Sequence, residues 1–279
     1  MTSVVSETIR VITEKCPLAL DEIRIDDVVL GIFFTGVKLS TGHSGVAFTP
    51  IGEVPEAVCC PTSAARMPPA GKFEGTPVAQ ILQYATNPNV LKSAIGIAIL
   101  NALSQSVLES EQTMKYRMVT DVDGFDLLGI QPRETVTLIG AFTPYIRRLK
   151  MMGNPFFILE KNPQTLKPDE MPHYRPESEI APTFEKTDVA IITGTAIVNH
   201  TIDGILSHLR KRHRAGVIGP TASMLPDAFF ERGIDVTAGI RVVEPDAMIK
   251  ILKQAGSGYH LLQECSQKTA FLKPSLGAS

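Results

Sequence analysis

Between residues 135 and 255, short apolar runs and helical segments take turns, and few folds accept such a rhythm. The runs at 135–139, 156–159, 189–192, 216–218 and 235–238 are rich in Val and Ile and too short to be helices. Continuous apolar character, without polar alternation, is what parallel strands buried on both faces require. The intervening segments, ending near 152 and 213 and then spanning 226–232 and 246–255, have helical spacing. Strand–helix alternation of this kind predicts an α/β fold: a Rossmann-like parallel sheet with helices on both sides.

The first half has a different pattern. Residues 2–15 place Val4, Val5, Ile9 and Ile12 among Glu7, Arg10 and Glu14, as an amphipathic helix does. Apolar runs at 28–37 and 45–49, joined by the polar, Gly-containing stretch 38–44, predict a β-hairpin. Residues 61–77 are rich in Pro and Gly and read as loop, and 78–85 as a short helix. After Asn87-Pro88 a helix running to about 104 is apolar on most faces, which predicts burial. The two patterns meet within 104–134. The expected organisation is a smaller α+β domain over 1–112 and a Rossmann-like domain over 113–279.

Composition excludes several functions. With 27 Lys plus Arg against 29 Asp plus Glu, the chain lacks the basic excess of a nucleic-acid binder. The longest apolar run, at 90–103, falls short of the roughly 20 residues a membrane span needs. The four cysteines (Cys16, Cys59, Cys60 and Cys265) form no C-x-x-C pair, and the N-terminus has no signal-peptide pattern, so a cytoplasmic setting is expected.

In an open parallel sheet, ligands bind at the carboxyl ends of the strands. Three strand ends carry glycine and hydroxyl residues leading into helices. They are Gly140-Ala141-Phe142-Thr143-Pro144, Thr193-Gly194-Thr195-Ala196 and Gly219-Pro220-Thr221-Ala222-Ser223. Such turns offer close backbone approach and free N–H groups, although any strand-to-helix turn needs the same residues as caps. Glu160 closes the second strand 20 residues after Gly140, where dinucleotide-binding folds place an acid on ribose hydroxyls. The first turn is not G-x-G-x-x-G, and Phe142 crowds the space a pyrophosphate would use. A polyol or amine fits better than NAD.

Asn199 lies one turn beyond Thr195, close enough to point into the crevice or to cap locally. Asn101, His43 and the stretch 161–182, with five prolines and several acids, are candidates for its roof. Lys211, Arg212, His213 and Arg214 read as cations at a helix end. Cys59 and Cys60 are adjacent thiols able to capture a soft metal, but no neighbouring His or Cys completes a site, so no metal ligand is assigned.

Several stretches resemble the DUF364, or "putative heavy-metal chelation", family with its DUF4213 N-terminal domain. They are Gly45-Val46-Ala47-Phe48-Thr49, Gly75-Thr76-Pro77-Val78, Asn101-Ala102-Leu103 and Val136-Thr137-Leu138-Ile139-Gly140-Ala141-Phe142. The most specific are Thr193-Gly194-Thr195-Ala196-Ile197-Val198-Asn199 and Gly219-Pro220-Thr221-Ala222-Ser223-Met224-Leu225-Pro226. The resemblance implies an enolase-N-terminal-like α+β domain before a Rossmann-like one, with a ligand pocket between them. It also implies heavy-metal chelation, or chemistry on pterin-, flavin- or siderophore-like molecules. It carries over no catalytic residue and names no cofactor.

Three functions follow as expectations. The first is binding or processing of a small molecule or metal chelate at an interdomain cleft, in a chain that could form a homo-oligomer. The alternatives are an S-adenosylmethionine-dependent methyltransferase-like enzyme and a protein that binds metal directly.

Overall fold

The computed structural model describes residues 2–53, 67–111 and 115–274. Helix α1 (Val4–Lys15) is capped by the Ser3 hydroxyl, which accepts from the Ser6 N–H at 3.1 Å. The face bearing Val4, Val5, Ile9 and Ile12 is buried, while Arg10 bridges Glu7 and Glu14 on the exposed side. Strands β1 (Ile25–Leu30), β2 (Phe34–Leu39) and β3 (Ser44–Phe48) form an antiparallel sheet in that order. The expected β2–β3 hairpin is present. The run at 28–37, expected as one strand, is two: the chain turns at Gly31, whose N–H donates to the Phe34 carbonyl at 3.1 Å. A Cβ on Gly31 would come within 2.7 Å of that carbonyl oxygen, so continuous apolarity hid a turn that needs glycine.

The short helix α2 (Val78–Ile81) and a tight turn at Leu82–Thr86 lead to α3 (Val90–Ser110). Asn87-Pro88 does mark the start of α3, but the capping group is Asn89, whose side chain accepts from the Leu91 and Lys92 N–H groups. At 21 residues, α3 is longer than the 90–103 run suggested, and by length and composition it is apolar enough to cross a membrane. Its most apolar window is 89% buried inside the protein, so it serves as the central core helix. Glycine permits its closest contacts. A Cβ on Gly45 would lie 2.2 Å from the Ala98 carbonyl, and one on Gly96 would lie 1.9 Å from the Ala85 nitrogen.

The remaining elements are β4 (Arg117–Thr120), α4 (Gly124–Leu127), β5 (Val136–Ile139), α5 (Thr143–Met152), β6 (Phe156–Leu159), β7 (Tyr174–Arg175) and α6 (Ile180–Phe184). Then come β8 (Val189–Thr193), α7 (Thr195–Val198), α8 (Ile202–Leu206), β9 (Arg214–Ile218), α9 (Asp227–Glu231), β10 (Val236–Val242), α10 (Pro245–Lys253), α11 (Gly258–Glu264) and β11 (Ser266–Leu272). Eight strands form one sheet in the order β4-β11-β10-β9-β8-β5-β6-β7. From β10 to β7 the pairing is parallel, as the sequence rhythm requires, and β11 runs antiparallel between β10 and β4.

The single helix expected up to 213 is α7 plus α8, broken where His200 takes a left-handed φ of 56°. The stretch 161–182 is ordered by short turns at Pro163–Thr165, Met171–His173 and Glu177–Glu179, and it contributes β7 to the sheet edge. One hydrophobic cluster joins the two halves, running from Ile12, Leu39 and Ile99 to Ile192, Val217 and Phe229.

Candidate functional site

After β5 the chain moves outward to β6 and β7, then returns to the other side of β5 as β8 and continues to β9 and β10. The strand order therefore reverses between β5 and β8, and such a reversal opens a crevice at the carboxyl ends of the strands. A cavity of about 120 Å³ lies there. Its walls include Ile139 and Gly140 after β5, Leu159 and Glu160 after β6, and Thr193, Thr195 and Asn199 around β8 and α7. Lys161, Glu177 and Ile180 of the 161–182 stretch line it as well, with Thr201 and Ile205 from the start of α8.

The polar groups are arranged by local hydrogen bonds. Glu160 Oε2 accepts from the Ala141 N–H at 2.9 Å, and Oε1 accepts from the Asn162 N–H at 3.0 Å. The carboxylate thus ties the β5 and β6 turns together. Each oxygen keeps a further lone pair for a ligand. The Thr193 hydroxyl oxygen accepts from the Thr195 hydroxyl at 3.0 Å and the Thr195 N–H at 3.3 Å, which leaves its own O–H free to donate. Gly140 has φ of 105°, and a Cβ there would meet Thr193 Cγ2 at 2.9 Å. Glycine is what allows the β5 turn to close on Thr193.

Asn199 caps the end of α7, and its Nδ2 donates to Glu53 Oε1 at 3.0 Å. Its Oδ1 is buried without a partner. Lys161 Nζ lies 3.5 Å from the same Glu53 oxygen, so a residue of the N-terminal half joins the rim. Among the described residues, Glu160 and Glu177 in the wall and Glu53 beside it supply three carboxylates against the one ammonium of Lys161.

Of the residues singled out in the sequence, Gly140, Glu160, Thr193, Thr195 and Asn199 share this wall. Gly194 and Gly219 sit behind it: the Gly194 N–H donates to the Ile218 carbonyl at 2.9 Å, and the Gly219 N–H to the Ala238 carbonyl at 2.8 Å. Phe142 stacks on Tyr145 with ring centroids 5.1 Å apart. Pro220 opens the short turn Pro220–Ala222, and Thr221 in that turn accepts from the Phe48 N–H at 2.9 Å. Asn101 is fully buried, and its Nδ2 donates to the Val46 and Thr221 carbonyls at 2.7 and 3.1 Å. Both residues lock the small sheet against the large one. His43 is further off, with Nε2 3.0 Å from Glu109 Oε2 and Nδ1 2.9 Å from the Thr41 hydroxyl.

Much of the N–H capacity expected to be free at the strand ends is used internally. The N–H groups of Ala141, Gly194, Thr195, Gly219 and Ala222 all donate within the protein. With only four residues, α7 has little dipole of its own to attract an anion. Among the wall residues not singled out in the sequence, Thr201 caps and Ile205 lies on α8, a helix whose start the left-handed His200 conceals. Glu177 and Lys161 were foreshadowed only by the length and acidity of their stretch.

Cys59 and Cys60 lie outside the described residues. Among the described residues no group of three or more His, Cys, Asp or Glu is placed to hold a metal ion. Cys265 is buried, which pushes its thiol up to about 11, and Cys16 is also raised by burial.

Solved structures share this architecture. A protein of unknown function from the DUF364 family of Pyrococcus horikoshii superposes with a TM-score of 0.74 at 20% identity, covering 96% of this chain and 99% of that one. A second DUF364 protein, from Desulfitobacterium hafniense, gives 0.69 at 17% identity, covering 96% and 98%. These likenesses show the fold. An uncharacterized protein of Methanocaldococcus jannaschii is 24% identical over 184 residues, or 64% of this chain and 65% of that protein. The chain thus spans just under two thirds of the length of this curated relative.

A DUF4213 model described as "Putative heavy-metal chelation" matches residues 14–104. The DUF364 model, with the same description, matches residues 123–271. These descriptions point to metal handling and lend no support to methyl transfer. With more than half of its length matched by one model and the expected fold present, the chain belongs to the DUF364 family.

Proposed function

We propose that the crevice between β5 and β8 binds a small compound rich in hydrogen-bond donors, a polyamine or polyol of the kind that chelates metals. The observation that carries this reading is the surplus of acceptors in the wall. Asn199 Oδ1 is buried without a donor, Glu160 has spare lone pairs on both oxygens, and Glu53 and Glu177 add charge that, among the described residues, Lys161 offsets. A buried acceptor left unpaired costs about 1–3 kcal/mol, so a donor-bearing guest is favoured there. A phosphate or carboxylate would meet three carboxylates and strand-end amides that are already engaged. Once deprotonated, the nitrogens and oxygens of such a compound carry the lone pairs that a metal binds, which accords with the family description.

The test is thermal melting against spermidine, ribonucleosides, pterins, catecholate chelators and their metal complexes, with inorganic phosphate as the anionic control. A donor-rich compound is expected to raise the melting temperature saturably. Glu160→Gln, which halves the acceptor capacity of that side chain, is expected to weaken it about tenfold, as loss of one charge-assisted bond does. A wild-type protein indifferent to the whole panel, or one that prefers phosphate, would sink the reading.

A further inference from the structure

A second cavity, of about 50 Å³, lies between the C-terminal half of α3 and strands β4, β10 and β11. It shares no wall residue with the crevice and is separated from it in the sheet by β9. Two polar side chains face this space with nothing to bind. Gln105 is 6% exposed and its Nε2 has no partner, and Thr269 is 7% exposed and its Oγ1 has none. Buried polar groups are nearly always paired, so an orphaned amide and an orphaned hydroxyl on one cavity call for an occupant.

The rest of the wall defines its chemistry. Leu108, Met118 and Phe271 supply an apolar side. At the opposite edge Arg241 gives one N–H to Glu109 Oε1 at 2.5 Å, and a guanidinium has further N–H groups to offer. The other oxygen of Glu109 is held by His43 Nε2 at 3.0 Å, so both oxygens of that carboxylate are engaged. The unpartnered groups of this wall, Gln105 Nε2 and the Thr269 hydroxyl, and the remaining Arg241 N–H groups can all donate. At roughly 10–15 Å³ per water-sized occupant, the space suits a guest of about three to five non-hydrogen atoms.

We propose that this cavity is a second binding site, for a short-chain carboxylate. The carboxylate accepts from Gln105 Nε2, the Thr269 hydroxyl and the Arg241 guanidinium, and the alkyl end packs on Leu108, Met118 and Phe271. The experiment is calorimetric titration of the full chain with propionate at constant ionic strength, with propionamide as the neutral match. Propionate is expected to bind saturably and more tightly than propionamide. In Gln105→Leu and in Thr269→Val it is expected to bind about tenfold more weakly. Thr269→Val preserves shape, so it carries the test if Gln105→Leu does not fold. Three results would overturn the site: no saturable heat with propionate, unchanged affinity in a folded variant, or a crystal grown with propionate that shows only water there. None of these bears on the crevice, whose walls the variants leave intact.

Discussion

His213 shows how a single ring can link burial to pH. It is 5% exposed; its Nδ1 accepts from the Arg210 N–H at 3.0 Å and its Nε2 donates to the Phe184 carbonyl at 3.1 Å. Both nitrogens are thus engaged in the neutral form, and a second proton would have to point at an N–H. Burial, reinforced by the positive charge of Arg212, holds its pKa below the ordinary 6.5. The unfolded chain therefore takes up this proton at a higher pH than the native one. Stability is expected to fall as pH drops below about 6.5, and His213→Gln is expected to flatten that slope in urea denaturation between about pH 5 and 8. The cations around it were expected to serve the end of their own helix. Instead Arg212 donates to the Phe184 and Glu185 carbonyls, capping α6, and Arg214 pairs with Glu134 at the start of β9. A linear sequence shows a charge near a helix end but not which helix it reaches.

Among the elements, α3 carries the most of the architecture. Its apolar character on nearly all faces was legible, and so was its burial. Its few polar residues were harder to read, because what they bind is distant in the chain: Ser93 donates to the Val198 carbonyl, Asn101 to Val46 and Thr221, and Ser104 accepts from the Leu225 N–H. These bonds hold the turns after β8 and β9 against α3, and Asn101 ties the small sheet to the same helix. Asn101→Leu leaves two buried carbonyls short of a donor and is expected to cost about 1–3 kcal/mol in urea unfolding. The parallel strands β5, β6, β8 and β9 were legible for the reason that made α3 so, unbroken apolarity. Strands β4 and β11 were not, because Arg117, Gln267 and Lys268 break their apolar pattern, and antiparallel strands need no continuous buried run. The crevice followed the same division. Strand ends announce themselves through glycine and hydroxyls, whereas Glu53, Thr201 and Ile205 reach the site by tertiary placement alone.

For the whole molecule, the shared core decides how it comes apart. One cluster runs from Ile12 and Ile99 to Ile192 and Phe229, so the two halves share a core, while a second cluster, from Phe125 to Ala270, lies within the C-terminal half. Thermal unfolding is expected to show a single calorimetric peak with equal calorimetric and van't Hoff enthalpies, and two separated peaks would contradict a common core. The chain has no tryptophan, so circular dichroism and scanning calorimetry are the suitable probes. The position of β11 has a further consequence during synthesis. It pairs on one side with β10 and on the other with β4, more than a hundred residues earlier, so the gap between them stays open until residue 272 has left the ribosome. Until then the nascent chain presents two unpaired strand edges, the kind of surface that chaperones shield and that misassembly exploits. A translation stop just before Ser266 would make that transient exposure permanent.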